Sequence, residues 1–260
     1  MLLVIDVGNT NTVLGVFEEK TLRAQWRLST DRRQTADEYG ILIRNLFTLD
    51  GIQPGQIKGV MVASVVPPLN SLLEEMAEKY FHLKAVFLGP GMRTGMAIHY
   101  DNPQEVGADR IADAVAAFEK YGGPCIVVDF GTAITFDAIS EKGEYLGGVI
   151  APGIGVAAEA LFQQAARLPR VEIREPSRVI GTNTVGSMQS GLFYGSVGLV
   201  DGILDRLLGV LGQKTKVVAT GGQAPLVAAA SKHKPPVDSA LTLEGLRIIY
   251  ERNVAGSRPH

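Results

Sequence analysis

The chain begins with the apolar run Leu2 to Ile5, which leads directly into Asp6-Val7-Gly8-Asn9-Thr10-Asn11. A short apolar run closed by an acidic residue and a glycine indicates a buried β-strand that ends in a turn. The mainly apolar residues Thr12 to Phe17 then predict the return strand of a hairpin. Because glycine adopts positive φ readily, the residues after Gly8 can turn successive backbone N–H groups toward an anion. The stretch therefore predicts a phosphate-binding turn, with an ordinary hairpin turn rich in Asn and Gly as the alternative.

The same order of residues occurs a second time in the chain. The apolar run from Cys125 ends in Asp129-Phe130-Gly131-Thr132, and Ile134 to Ser140 is a second candidate return strand. A shift of the sequence by 123 residues places Asp6 on Asp129, Gly8 on Gly131 and Thr12 on Thr135. Two such turns favour a duplicated unit whose turns face each other across a cleft, although symmetry this faint can also arise by chance.

Strands and helices alternate after each hairpin, which indicates an α/β protein. Turn residues cluster at Tyr121 to Pro124, so we predict an N-terminal half, 1–121, and a C-terminal half, 122–260. Segment 167–180 is irregular, and the tail from Ala255 to His260 is predicted to be disordered. The other predicted strands are Leu22–Leu28, Val60–Val66, Ala85–Leu88, Tyr145–Ile150 and Lys216–Ala219, and the predicted helices are one starting at Thr35, Leu69–Tyr80, Ile111–Phe118, Val156–Ala166, Ser187–Leu211 and Leu243–Asn253.

Composition excludes several classes of partner. The chain has 25 Lys plus Arg against 27 Asp plus Glu, so it has no basic field for nucleic acid or an anionic membrane. The uncharged stretch Val179 to Val200 contains five glycines and many polar residues, which makes it too polar to span a membrane. Asp6 interrupts the apolar opening, so no signal peptide is expected, and the single cysteine, Cys125, fits a reducing compartment. We predict a soluble cytoplasmic protein.

The Asp6 carboxylate would repel a phosphate bound at the adjacent turn unless a cation lay between them, which predicts Mg²⁺.

Other nucleotide-binding motifs match the sequence poorly. The chain contains no Gly-Lys dipeptide and hence no P-loop. Gly153 to Ala158 matches the dinucleotide fingerprint only loosely, because Pro152 precedes it, and a glycine turn capping a helix explains it better.

Asp109 lies in Gly107-Ala108-Asp109-Arg110, immediately before a predicted helix. It can be the N-cap of that helix, or a carboxylate that accepts a proton from an alcohol, and the two roles are compatible. Arg110 is either a ligand for a carboxylate or phosphate or a solvated surface arginine. The four histidines, His82, His99, His233 and His260, are too scattered for a metal site.

Together these motifs resemble those of the type III pantothenate kinases, which belong to the actin-like superfamily of acetate and sugar kinases and heat-shock ATPases. The Asp-x-Gly-x-Thr pattern marks only the superfamily, whereas Gly-Ala-Asp-Arg at 107 and the short chain make the resemblance specific. It implies two duplicated ribonuclease H-like halves around a nucleotide cleft. The matching stretches begin at Asp6, Gly107, Asp129, Gly147, Gly181 and Thr220.

The resemblance implies transfer of the γ-phosphoryl group of ATP to the 4′-hydroxyl of pantothenate, the first step toward coenzyme A. Asp109 would accept the proton, Asp6 would serve Mg²⁺ with ATP, and Asp129 would bind a monovalent cation, K⁺ or NH4⁺. The implied ATP contacts are Asp6, Val7, Gly8, Asn9, Thr10, Asn11, Thr12, Val13, Thr132, Gly221 and Gly222, and the implied pantothenate contacts are Tyr100, Gly107, Ala108, Asp109, Arg110 and Thr184.

A homodimer is also expected. Gly191, Gly195 and Gly198 form a small-residue patch on the long predicted helix, and the stretch before it, Val179 to Ser187, is uncharged. A partner within the chain would explain both features equally well, but the resemblance implies a dimer with the acceptor site near its interface.

Two alternatives for function stay open: a kinase for another small alcohol, and an actin-like ATP-binding regulatory protein.

Overall fold

A computed structural model of the protein describes residues 1–254, in two compact units. Unit 1 comprises Met1–Ala97, Asp101–Ala116 and the described part of Leu241–His260, and unit 2 comprises Ile98–Tyr100 and Ala117–Ala240. The tail predicted to be disordered, 255–260, lies outside the described residues. Within residues 1–254, no helix combines the length and the apolar character needed to cross a membrane.

Unit 1 is a five-stranded sheet covered by helices. Leu3, Leu14, Ile43 and Phe47 are among the buried apolar side chains of one core cluster in this unit. The strands are β1 (Leu2–Val7), β2 (Asn11–Glu18), β3 (Thr21–Ser29), β4 (Gly59–Ser64) and β5 (Ala85–Phe87), in the order β3-β2-β1-β4-β5. The helices are α1 (Ala36–Leu49), α2 (Asn70–Phe81) and α3 (Ala108–Tyr121), whose last turn belongs to unit 2, and the chain returns at the end with α7 (Leu241–Val254).

Unit 2 repeats this plan with four strands. The buried side chains Ile126, Phe136, Val200 and Leu204 belong to its core. The strands are β6 (Cys125–Phe130), β7 (Ala133–Ile139), β8 (Tyr145–Pro152) and β9 (Lys216–Thr220), in the order β8-β7-β6-β9, and the helices are α4 (Ile154–Gln164), α5 (Thr184–Leu211) and α6 (Ala224–Ala230). As predicted, residues 167–180 contain no helix or strand.

The two sheets confirm the predicted duplication. In each one, an antiparallel hairpin is extended by a third antiparallel strand, and a parallel strand pairs with the other side of the first strand. Strands β1, β2, β3 and β4 therefore correspond to β6, β7, β8 and β9. The fold is α/β, built from two halves of ribonuclease H-like topology.

The shift of 123 residues predicts three pairs of equivalent residues, and the pair of Thr12 with Thr135 is wrong. Asp6 pairs with Val13 across the first hairpin, whereas Asp129 pairs with Thr135 across the second. The second turn is thus one residue shorter, so Thr12 corresponds to Ile134 and not to Thr135. A constant shift of the sequence cannot detect a change in turn length, because it moves both strands of the hairpin together.

The units also divide the chain differently from the predicted halves 1–121 and 122–260. Helix α7 belongs to unit 1, where the Arg247 guanidinium lies 5.7 Å from the centre of the Phe17 ring on β2. The Asn253 side chain both accepts from and donates to the backbone of Arg93, at 3.0 and 3.1 Å. Helix α7 therefore packs on the sheet of the first unit, with Leu243, Leu246 and Ile249 buried.

Candidate functional site

The first turn is closed by its own backbone. The Gly8 amide donates to the Asn11 carbonyl at 3.0 Å, and a Cβ at Gly8 would lie only 3.0 Å from the same oxygen. Thr30, the residue immediately after β3, stabilises the turn through two hydrogen bonds. Its hydroxyl donates to the Gly8 carbonyl at 2.7 Å, and its amide donates to the Thr10 carbonyl at 3.0 Å. Thr30 was missed by sequence reasoning, because only the pairing of β2 with β3 brings it here.

The residues of this turn differ in what they can offer a ligand. Asn9 and Thr10 are exposed, whereas Val7 and Thr12 are buried and support the turn from within. Thr12 shares a hydrogen bond of 2.9 Å with the Thr30 hydroxyl. Exposed Arg32 donates to the Asn9 side chain at 3.2 Å, which places a cation beside the turn that no sequence pattern indicated.

Asp6 lies at the carboxyl end of β1, where this strand pairs in parallel with β4. Asp6 pairs with Ala63, and the last pair of the two strands is Val7 with Ser64. Within the described residues, no group of three or more acidic, histidine or cysteine side chains could hold a metal ion. A single half-buried carboxylate next to a phosphate-binding turn nonetheless suits Mg²⁺, which often takes one or two protein carboxylates and completes its shell with substrate phosphates and water.

The second turn brings Asp129, Thr132 and Gly221 together at one edge of the unit 2 sheet. The Thr132 carbonyl accepts from the Gly153 amide at 3.1 Å, just as the Thr10 carbonyl accepts from Thr30, so Thr132 is the counterpart of Thr10. Asp129 pairs with Thr220 in the parallel register of β6 and β9. Gly221 has a φ of +92°, and a Cβ there would overlap the Asp129 carboxylate and the Phe130 backbone. Only glycine allows this approach.

Asp109 is not the N-cap that its position suggested. Helix α3 already begins at Ala108, so Asp109 lies in its first turn, where its carboxylate accepts from the Arg110 amide at 2.8 Å. Gly107 leaves the space that this carboxylate occupies, because a Cβ there would overlap it. Burial raises the pKa of Asp109, and the amide and charge of Arg110 oppose that rise only in part.

Arg110 is 8% exposed, so the alternative of a solvated surface arginine is wrong. The buried guanidinium of Arg110 and the half-buried carboxylate of Asp109 thus place two opposite charges at the start of α3, where the charge of Arg110 lowers the pKa of Asp109 in part. Such a pair can both accept a proton and orient an anionic or hydroxylated substrate.

Tyr100 belongs to unit 2, although the sequence places it between segments of unit 1. The short segment 98–100 adds to β8, because Ile98 pairs with Tyr145 in parallel and the His99 amide donates to the Tyr145 carbonyl at 2.8 Å. The half-buried Tyr100 ring lies beside the buried Tyr145 ring, with 6.4 Å between ring centres.

Thr184 is the first residue of α5 and is exposed at a groove of about 690 Å³ that Leu161, Thr182 and Met188 also line. The helix begins at Thr184 and not at Ser187 as predicted, because Asn183 caps it by accepting from the Gly186 amide at 2.8 Å. The irregular segment 167–180 lies along this helix: Gln189 donates to the Glu172 carbonyl at 3.0 Å, and Ser190 donates to the Val179 carbonyl.

Two matched α/β units with corresponding phosphate-type turns define the class of this protein as an actin-like ATPase or sugar-kinase fold. Solved structures support the class. The chain matches a ROK family glucokinase from Streptomyces griseus in complex with glucose and AMPPNP with a TM-score of 0.55 and 12% identity, covering 98% of this chain and 100% of that one. It matches a Campylobacter jejuni protein described as a Baf family transcriptional activator with a TM-score of 0.62 and 22% identity, covering 97% and 99%. Likenesses this remote show the fold alone.

Sequence relatives identify the particular family. Residues 2–206 match the sequence model of the type III pantothenate kinases. The chain is 60% identical to the type III pantothenate kinase of Koribacter versatilis, covering 99% of this chain and 98% of that one. It is 62% identical to that of Myxococcus xanthus, covering 98% and 100%. The chain belongs to the type III pantothenate kinase family, whose ATP-dependent chemistry uses a nucleotide with a divalent metal ion.

Proposed function

We propose that this protein transfers the γ-phosphoryl group of ATP to the 4′-hydroxyl of pantothenate, the first step of coenzyme A biosynthesis. The observation that carries the proposal is the half-buried Asp109 carboxylate beside buried Arg110, in a chain that matches this kinase family over nearly its whole length. An acidic group with a raised pKa is, once ionised, a stronger base than an ordinary aspartate.

Phosphoryl transfer requires the protein to align the two substrates and to neutralise the charge on the phosphate oxygens, and it requires little covalent chemistry from the protein. The pantothenate oxygen forms a bond to the γ-phosphorus while the bond between that phosphorus and the ADP oxygen breaks. The hydroxyl proton passes to the Asp109 carboxylate. Arg110 and the space left by Gly107 hold that carboxylate in one orientation, so the acceptor hydroxyl meets a fixed base.

We assign the nucleotide phosphates to the two turns. In the first turn, the Thr30 brace fixes the backbone so that exposed Asn9 and Thr10 can donate to phosphate oxygens without reorganising. Asp6 would hold Mg²⁺, which neutralises phosphate charge when it is bound with the nucleotide. Arg32 is a candidate for further neutralisation, since its guanidinium already reaches Asn9. In the second turn, Thr132 and the Gly221-Gly222 backbone are the proposed contacts.

Asp129 is the proposed ligand of a monovalent cation, K⁺ or NH4⁺. Its carboxylate is packed against the backbone of Gly221 and Phe130, so carboxylate and peptide oxygens lie within one small region. Such oxygen donors suit a weakly hydrated cation better than an isolated side chain would. The role of Asp129 differs in this respect from that of Asp6, although the two residues occupy equivalent positions of the two hairpins.

A homodimer completes the proposal. At Gly191, Gly195 and Gly198, a Cβ would meet no atom within 4 Å in the described part of the chain apart from the adjacent residues and backbone of its own helix, so the intramolecular packing considered for these glycines is not observed. Apolar side chains are exposed nearby on the same helix and its lead-in, with Val179 64%, Ile180 80% and Val185 42% exposed. An apolar surface with a small-residue patch suits a second copy of this chain next to Thr184.

The compartment stays a prediction. The single cysteine, Cys125, is fully buried in β6, and burial raises its pKa to about 12, so the thiol is unreactive at neutral pH. A chain that forms no internal disulfide fits the predicted cytoplasmic location.

A coupled assay of ADP release, run with and without pantothenate, tests the proposed function. The proposal expects release that depends on pantothenate and on Mg²⁺. Release that responds only to another small alcohol would make the protein a kinase for that alcohol. ADP release without any acceptor, or nucleotide binding without turnover, would favour the regulatory alternative.

A further inference from the structure

We infer that Tyr145, held by Asp137, is a positioning residue that fixes Tyr100 in the acceptor site. The inference rests on the proposed function, under which Tyr100 contacts pantothenate. Neither Tyr145 nor Asp137 belongs to the motifs that carried the functional assignment. Only their contacts around Tyr100 connect these two residues to the acceptor site.

The first link joins two fully buried side chains. The Tyr145 hydroxyl on β8 donates to Asp137 Oδ1 on β7 at 2.7 Å, and both residues are 0% exposed. The Thr135 hydroxyl approaches the other oxygen, Asp137 Oδ2, at 3.4 Å. A buried carboxylate is tolerated only when donors satisfy it, and a hydrogen bond to a charged acceptor is among the stronger kinds. The Tyr145 ring therefore has a single well-defined position.

The second link joins Tyr145 to the segment that carries Tyr100. The backbone of Tyr145 accepts from the His99 amide at 2.8 Å, and its ring lies 6.4 Å from the Tyr100 ring at an interplanar angle of 53°. Aromatic pairs at this separation and tilt attract each other. Tyr145 thus contacts segment 98–100 through both its backbone and its side chain.

The Tyr100 ring packs on Gly147 of β8. Its φ of +110° is a conformation that residues with a Cβ rarely adopt, and the position a Cβ would take lies 3.7 Å from the Tyr100 ring. Because Gly147 has no side chain, the Tyr100 ring lies directly over the β8 backbone. The Tyr145 ring contacts the Tyr100 ring from the side. The hydrogen bond from the Tyr145 hydroxyl to Asp137 fixes the Tyr145 ring. Loss of this hydrogen bond therefore lets both the Tyr145 ring and the Tyr100 ring move.

Tyr145→Phe tests this arrangement, because it removes one oxygen atom and keeps the ring. We expect the KM for pantothenate to rise about five- to tenfold, while the KM for ATP and kcat change less than about twofold, as befits misplacement of a binding group. Tyr80→Phe is the matched control. The Tyr80 hydroxyl also donates to an aspartate, Asp37 Oδ1, at 2.7 Å, but on the exposed surface of unit 1. It should leave both KM values unchanged.

A double-mutant cycle with Tyr100→Ala separates positioning from general stability. If Tyr145 acts through Tyr100, Tyr145→Phe has no further effect on the pantothenate KM once the Tyr100 ring is gone. Equal effects in both backgrounds, or an unchanged KM in Tyr145→Phe alone, would overturn the inference. If Tyr145→Phe does not fold, Asp137→Asn takes its place in the same cycle and is judged by the same outcomes.

A readout without turnover keeps this test apart from the test of the proposed function. Ring resonances of labelled tyrosines, with Tyr100 assigned through Tyr100→Phe, should show that Tyr145→Phe shifts or broadens the Tyr100 signal whether or not pantothenate is the substrate. An unperturbed Tyr100 signal would contradict the inference even in an active kinase. A wild-type protein that releases no ADP with pantothenate would instead contradict the proposed function.

Discussion

Replacing Asp109 by asparagine separates the chemical role of this residue from its structural role. Asparagine keeps an oxygen that can accept the 2.8 Å hydrogen bond from the Arg110 amide, and it fits the space left by Gly107. It cannot take a proton at neutral pH. Turnover should fall by roughly 10²- to 10⁴-fold, the range typical of a lost general base, which corresponds to about 2.7 to 5.4 kcal/mol of activation free energy.

The same substitution should not destabilise the protein. Burial raises the pKa of Asp109 in the folded chain, so its contribution to stability is present below the unfolded pKa and is lost as pH rises through the folded pKa. Above the folded pKa, the ionised side chain therefore disfavours folding. Asparagine carries no charge, so we expect Asp109→Asn to unfold at an equal or higher temperature than the wild type. The emission of Trp26, the single tryptophan of the chain, reports this transition for unit 1.

The pH dependence of the wild type gives an independent check. A base must be ionised to work, so kcat/KM for pantothenate should fall on the acidic side as Asp109 becomes protonated. Because its pKa is raised, this fall should begin at a higher pH than for an exposed aspartate. Glu119→Gln, which removes an exposed carboxyl from the same helix, should leave turnover and pH profile unchanged. A folded Asp109→Asn protein within tenfold of wild-type kcat would refute the general-base role.

Three further predictions concern the cation, the second turn and the dimer. Activity should be higher in KCl than in NaCl at fixed ionic strength, and Asp129→Ala should abolish the difference; equal activity of the wild type in both salts would remove the cation role. Gly221→Ala should raise the KM for ATP and lower the free energy of unfolding by about 1 to 3 kcal/mol, since it combines a φ of +92° with an overlap on Asp129; a denaturant titration that matches the wild type would argue against that packing. Sedimentation across a dilution series should show a dimer at the concentrations where pantothenate-dependent turnover is full, and a fully active monomer would refute the shared site next to Thr184.

Local sequence patterns predicted the two hairpins and most of the helices because their causes are local. An apolar run followed by an acid and a glycine restricts the backbone within a few residues. The helix predicted to start at Thr35 begins there because Thr35 and Glu38 form a capping box. The start of α3 was misjudged because Gly107 gives no capping side chain. The helix therefore begins before the residue that resembled its cap.

Features that depend on strand register or on packing over long distances could not be read from the sequence. The counterpart of Thr10 is Thr132, but this equivalence follows from a turn that is one residue shorter. The amphipathic pattern of α7 indicates a buried face without indicating which sheet covers it. Asp137 did leave a signal, because an acidic residue among the apolar side chains of β7 requires a buried donor. Only the pairing of β7 with β8 identifies that donor as Tyr145.

The central claim is that a phosphoryl group passes from ATP to the 4′-hydroxyl of pantothenate, and the products test it most directly. Phosphorus-31 and carbon-13 NMR of a reaction containing ATP, Mg²⁺, K⁺ and pantothenate should show a new phosphate monoester on the 4′-carbon that grows in step with ADP. Inorganic phosphate as the only new phosphorus species, or ADP without any change at the 4′-carbon, would contradict the account.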